Sequence, residues 1–193
     1  MATRPNAGIV LQLSHAALRS NWKLFNHTFG GSENHYLHKE QKVATWIQFV
    51  AIVLAALSMA VHFGTWLTER PIRRTRSGTL FTEVHQGRDA VAARVMPILG
   101  NAAILFIAFS LFLVRADTNR LLVGLMALAL YIADMVVTLR FNVPLNKEVQ
   151  SWQPDAPPTE WARVRDRWER FHTLRTMLIV PGFILYVASV ILF

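Results

Sequence analysis

Four long apolar runs organise the chain, each closed off by charge, proline or a polar turn. The first covers Val43–Leu67 and holds no formal charge, although His62 lies near its end. At about 1.5 Å per helical residue, a run of this length crosses ~30 Å of hydrocarbon. A basic segment from Glu69 to Arg76 ends it. Thr79–Arg94 then shows an amphipathic helical period, with Phe81, His85 and Ala92 on one side, and leads through Met96-Pro97 into the second run, Val95–Val114. Proline in the first turn of a span is tolerated because its missing N–H would have no partner there. The polar turn Arg115–Arg120 makes the second and third runs antiparallel neighbours.

The third run, Leu121–Leu139, carries Asp134. A carboxyl group at that depth is costly and predicts an inward orientation. Asp134, Thr138 and Asn142 follow at i, i+4 and i+8, so one polar line runs down this helix. The fourth run is Leu174–Phe193. Residues 1–42 mix apolar positions with His15, Arg19, Lys23 and His27, which predicts an interfacial amphipathic helix, then a polar linker, GGSENHYLHKEQK. The expected fold is all-α: a four-transmembrane-helix bundle over residues 43–193 with an N-terminal amphipathic extension, 1–42.

Composition supports this reading. Hydrophobic residues make up 53% and the mean hydropathy is +0.30, high for a soluble domain. The net charge is +8, but most Arg and Lys sit beside apolar runs, where they favour lipid headgroups and set topology. No nucleic-acid-reading motif accompanies them, so the expected partners are the lipid bilayer and a lipophilic small molecule rather than nucleic acid, with a homo-oligomer or a partner subunit open. The positive-inside bias puts loops 68–94 and 141–173 in the cytoplasm, with the bacterial inner membrane as the expected location. The absence of Cys removes disulfides, thiolate metal sites and cysteine nucleophiles. His15, His27, His35 and His38 have spacings that fit no compact metal site and read as a solvated tail.

The stretch from Asn142 to Arg175 is the least like a plain connection. A turn rich in proline, QPDAPPT, separates Asn142-x-Pro-x-Asn146 and Trp152 from a helical segment. In that segment Trp161, Arg165, Trp168, His172 and Arg175 recur at spacings of four, three, four and three, which puts them on one stripe. Two readings use the same residues. In the structural one, the tryptophans form an interfacial belt, the arginines meet lipid phosphates, and His172 caps the bundle mouth with the two asparagines. In the other, the stripe lines a pocket.

The series Asn142-x-Pro-x-Asn146, Trp152, then Trp161-x3-Arg-x2-Trp-x3-His-x2-Arg175 resembles the anthrone-oxygenase-like family of small four-helix membrane proteins. Gly64-Thr-Trp-Leu67, His85 and Val95-Met-Pro-Ile-Leu99 resemble the first half of that family, so the resemblance covers about residues 55–193. For its characterised fungal branch it implies cofactor-independent oxidation of anthrones to anthraquinones by O₂; many bacterial relatives have no assigned activity.

Anthrones are carbon acids, so such an enzyme needs a base, donors for the developing oxyanion and a dry aromatic pocket. His172 suits the base, since imidazole titrates near neutrality. Arg165 and Arg175, on either side of it, would stabilise an enolate. Asn142 and Asn146 could hydrogen-bond a carbonyl or hydroxyl, and Trp152, Trp161 and Trp168 would contact a planar ring. A metal-dependent oxidase is the alternative enzyme, with His62, His85, Asp134 and His172 as possible ligands for Fe, Cu or Zn, although no H-E-x-x-H spacing supports it. A non-catalytic bundle binding a lipid or a partner subunit is the alternative outside enzymology. Arg94, Asn101 and Arg140 read as membrane-edge anchors or interhelical hydrogen bonds, and Asp134 reads equally as a salt-bridge partner for Arg94 or Arg140 or as a catalytic group.

Overall fold

The structure, a computed structural model, describes the backbone of residues 7–193 and the side chains of residues 39–193. Its elements are helices α1 (Ala7–Arg73), α2 (Gly78–Leu113) and α3 (Thr118–Val137), a π-helical turn (Thr138–Asn142), then α4 (Val143–Gln150) and α5 (Trp161–Ile191). The fold is all-helical, with no strand among the described residues. Contacts divide the chain into two units, residues 1–45 and 46–193. In the first unit, the expected polar linker GGSENHYLHKEQK is helical instead, as part of α1. The stretch from Ala7 to Arg70 holds no proline, and its Glu, Lys and Gln residues are good helix formers that outweigh Gly30 and Gly31. The expected interfacial face of the extension rests on side chains outside those described.

Four helical segments are long and apolar enough to cross a membrane: Lys39–Arg73, Gly78–Leu113, Thr118–Gln150 and Trp161–Ile191. Large apolar side chains point outward along them, Ile98 at 74% and Ile184 at 60% exposure among them, as lipid-facing residues do. Helix starts carry their caps. Ser77 Oγ accepts the Leu80 N–H at α2 and Asp117 Oδ1 accepts the Arg120 N–H at α3.

Two packed clusters hold the bundle. One joins Ala51, Ala55, Ala103, Ala127, Ile107, Leu111, Ile179, Tyr131 and Tyr186. Small residues let these helices approach closely, as membrane helix pairs require. Its two phenols are satisfied: Tyr131 donates to the Ala55 carbonyl at 3.0 Å, and Tyr186 pairs with Ser110 at 2.7 Å. The other cluster, toward the opposite end of the helices, is Phe81, Leu145, Val149, Val164 and Trp168.

The third membrane helix runs on to Gln150, well past Leu139 where the apolar pattern stops. Pro144 lacks the N–H for a bond four residues back, and its ring would press on that carbonyl. The chain relaxes into the π turn, in which Val143 N–H reaches the Thr138 carbonyl, five residues back. The extra residue shifts the phase of all that follows by about 100°. The expected polar line is therefore broken after Thr138.

Candidate functional site

Between the two clusters, α1, α2, the third membrane helix and α5 enclose a cavity of about 410 Å³. That is a volume suited to a small organic ligand. Much of the wall is aliphatic or small, including Val61, Ala92, Met96, Pro97 and Gly100, with polar groups contributed by all four membrane helices, His62, His85, Asp134 and His172 among them. Val61, Ala93, Pro97 and Leu139 belong both to the wall and to the exposed outer surface of the apolar helices.

From the expected stripe, Trp168, His172 and Arg175 line this cavity. Trp161 and Arg165 do not. They stand two turns nearer the start of α5, where the Arg165 guanidinium lies 4.9 Å over Trp161 and pairs with Asp166 at 3.0 Å. Trp161 packs 5.9 Å from Phe81 in the neighbouring cluster, and Trp152 joins the same packing. The expected catalytic role of Arg165 and the expected substrate contacts of Trp152 and Trp161 therefore have no geometric support, because a helix too long for the cavity carries part of its stripe past the mouth.

Of the paired amides, Asn146 lines the cavity and Asn142 does not. The π turn rotates Asn142 behind the wall, where its Nδ2 donates to the Trp168 carbonyl at 3.3 Å and its Oδ1 is buried without a partner. Asn146 takes the forward position. Its Oδ1 accepts Trp168 Nε1–H at 2.6 Å and meets His85 Nε2 at 3.2 Å, while its Nδ2 donates to Asp89. Asn101, expected as a membrane-edge anchor or an interhelical hydrogen bond, lines the cavity as well.

Asp134 points inward as expected, but its partner is neither Arg94 nor Arg140. Arg175 Nε donates to Asp134 Oδ1 at 3.0 Å. The same guanidinium donates through Nη2 to His62 Nε2, and His62 Nδ1 gives its proton to the Ser58 carbonyl at 2.8 Å. Arg175 Nη1 has no partner among the described residues.

Aromatic rings run through the wall in series. His62 stacks on His172 with centroids 6.1 Å apart, His172 on Trp168 at 4.8 Å, and Trp168 meets His85 edge-on at 5.1 Å. Both His172 ring nitrogens are buried with no hydrogen-bond partner. Unsatisfied polar atoms of this kind are uncommon in folded proteins and call for a cause.

Among the described residues, no three His, Asp or Glu side chains are grouped so as to hold a metal ion. His62, His172 and Asp134 converge, but the Arg175 cation occupies the place among them, and His85 lies beyond Trp168. The four possible ligands are thus separated by a guanidinium and an indole.

Sequence reasoning missed the ionic layer above the cavity. Arg73, 1% exposed, donates to Glu169 Oε2 at 2.8 Å and lies 4.6 Å over the Trp168 ring. Arg88 lines the cavity and pairs with Glu69, which also stands 3.5 Å from Arg73. Glu69 and Arg73 are four apart, the one local trace of this network; the Arg73–Glu169 contact spans 96 residues and leaves none.

A family model described as anthrone oxygenase matches residues 88–185, just over half of the 193 residues. The match includes the whole of Asn142–Arg175 and starts after Gly64–Leu67 and His85. No curated protein and no solved structure matches the chain.

Proposed function

The chain belongs to the anthrone oxygenase family, and from that premise we propose a membrane-embedded oxidoreductase that oxidises a flat, lipophilic aromatic ketone with O₂. The observation that carries this reading is the cavity of about 410 Å³ inside an apolar bundle, with His172, Arg175, Asn146 and Trp168 gathered on its wall. Wall residues that also face outward along the apolar helices offer a substrate dissolved in the bilayer a way in.

In this reading His172 takes a proton from the carbon between two arene rings. Charge passes to the ketone oxygen, where Arg175 stabilises it. Asp134 and His62 hold two guanidinium nitrogens and leave Nη1 for the substrate oxygen. The anion reduces O₂, and water leaves to give the quinone: one anthrone and one O₂ become one anthraquinone and one water. The exclusion of water by the bundle keeps the anion from being reprotonated by solvent. Trp168 is already stacked on His172 and covered by Arg73, so it meets the substrate at its edge rather than with a free face.

The test is His172→Phe, which keeps a ring in the stack and removes both unpartnered nitrogens. O₂ uptake with an anthrone should fall by at least about a hundredfold, the usual scale of a lost general base. The melting temperature should not fall, because no hydrogen bond is broken. A variant that oxidises anthrone at the wild-type rate would remove His172 from the chemistry. A wild-type protein that takes up no O₂ with any anthrone would favour the non-catalytic, lipid- or partner-binding bundle.

A further inference from the structure

Turning a CH₂ carbon into a carbonyl removes two protons from one atom, and the two hydrogens lie on opposite faces of a flat ring system. After His172 has taken the first, its imidazolium can return that proton only to a peroxide formed on its own side. The remaining C–H then points away from His172. Its proton needs a second base.

His85 lines the same cavity from α2 rather than α5, with the Trp168 indole between it and His172. Its orientation follows from its neighbours without any choice of amide flip. The Trp168 indole can only donate, and it reaches Asn146 Oδ1 at 2.6 Å. Asn146 Nδ2 donates in turn to the Asp89 carboxylate, which Gln150 Nε2 also holds at 3.1 Å. Both constraints turn the amide oxygen toward His85, so His85 Nε2, 3.2 Å away, is the donor and carries the proton. Nδ1 then keeps a bare lone pair. It has no hydrogen-bond partner among the described residues and is not fully buried.

Resting on the oxygenase reading above, we propose that His85 is a second catalytic base, which accepts through Nδ1 the proton lost in the quinone-forming step. The C–H electron pair becomes the second bond of the new carbonyl. The O–O bond breaks with its electrons on the departing oxygen, and the hydroxide so formed takes the proton from His85 and leaves as water. The first proton travels from carbon to His172 to peroxide, the second from carbon to His85 to hydroxide. Both imidazoles end the cycle as they began, with O₂ as the oxidant. Asp89 and Asn146 are positioning residues that hold the His85 tautomer.

The experiment compares wild type, His85→Gln and His172→Phe in lipid nanodiscs with anthrone under O₂, reading O₂ consumed, hydroperoxide and anthraquinone separately. Glutamine keeps an N–H for Asn146 and removes the basic lone pair. His85→Gln should still consume O₂ but accumulate hydroperoxide, with quinone formation down at least about a hundredfold, whereas His172→Phe should lose O₂ uptake. Quinone formed by His85→Gln at the wild-type rate, or O₂ uptake lost as fully as in His172→Phe, overturns the assignment. Failure of the oxygenase reading shows separately, as a wild type that consumes no O₂. With an active wild type, ¹⁵N-imidazole NMR checks the geometry independently: His85 should be in its Nε2–H form, with an Nδ1 resonance that moves when anthraquinone is added. An Nδ1–H form or an unmoved resonance sinks the inference.

Discussion

Asp134 and Arg175 carry opposite charges into the interior of a membrane bundle, 9% and 12% exposed at their side chains. Burying either alone would cost several kcal/mol, and the 3.0 Å contact offsets much of that. The arrangement also fixes the guanidinium on the cavity wall, with Nη1 unpaired among the described residues. Replacing Asp134 with Asn removes the anion and leaves the cation buried, so stability should drop by roughly 3–5 kcal/mol, read by denaturation in detergent. A variant as stable as wild type would mean that Arg175 finds water or another anion. Arg73 and Glu169 make a similar pair, yet there the extra cations Arg70 and Arg88 and the anion Glu69 spread the charge over a layer. His172 differs from all of these. Among the described residues it alone has both polar side-chain atoms buried and unpaired, and the proposed role as base draws on that.

At the scale of the helices, two departures from regularity place the site. The π turn at Thr138–Asn142 brings Asn146 forward and sets Asn142 back, and Pro144 is its cause. The start of α2 is pinned by a close approach: a methyl group on Gly78 would come within 2.9 Å of both Pro157 Cγ and Trp161 Nε1. These are rigid groups, one in the connection after α4 and one at the start of α5. Gly78→Ala should therefore cost roughly 1–3 kcal/mol, as overpacking does. Gly64→Ala meets open space in α1 and should be neutral or gain up to about 1 kcal/mol from reduced backbone freedom in the unfolded chain. Thermal melts of the two variants side by side check this; equal shifts would show that Gly78 is not a contact point.

For the whole molecule, the arginine-rich connections predict sidedness. The chain has no cysteine, so single cysteines can be placed at Asp155, in the turn before α5, and at Ala116, between α2 and α3, both exposed. In intact cells a membrane-impermeant thiol reagent should label Ala116→Cys and spare Asp155→Cys. The reverse pattern would overturn the orientation. The apolar runs alone determined that four helices cross a membrane, because in hydrocarbon every backbone group must be satisfied within its own helix, and the run length records that constraint. They also showed Asp134 facing inward and Trp168, His172 and Arg175 sharing a stripe, since both follow from charge and a period of 3.6. Where that stripe met a cavity and where it met packing was not local information. Neither were the partner of Asp134, the exchange of Asn142 for Asn146, nor the alignment of His85 through Asn146 and Trp168. Those depend on how four helices slide and turn against one another, and helix packing joins residues tens of positions apart with no trace in spacing.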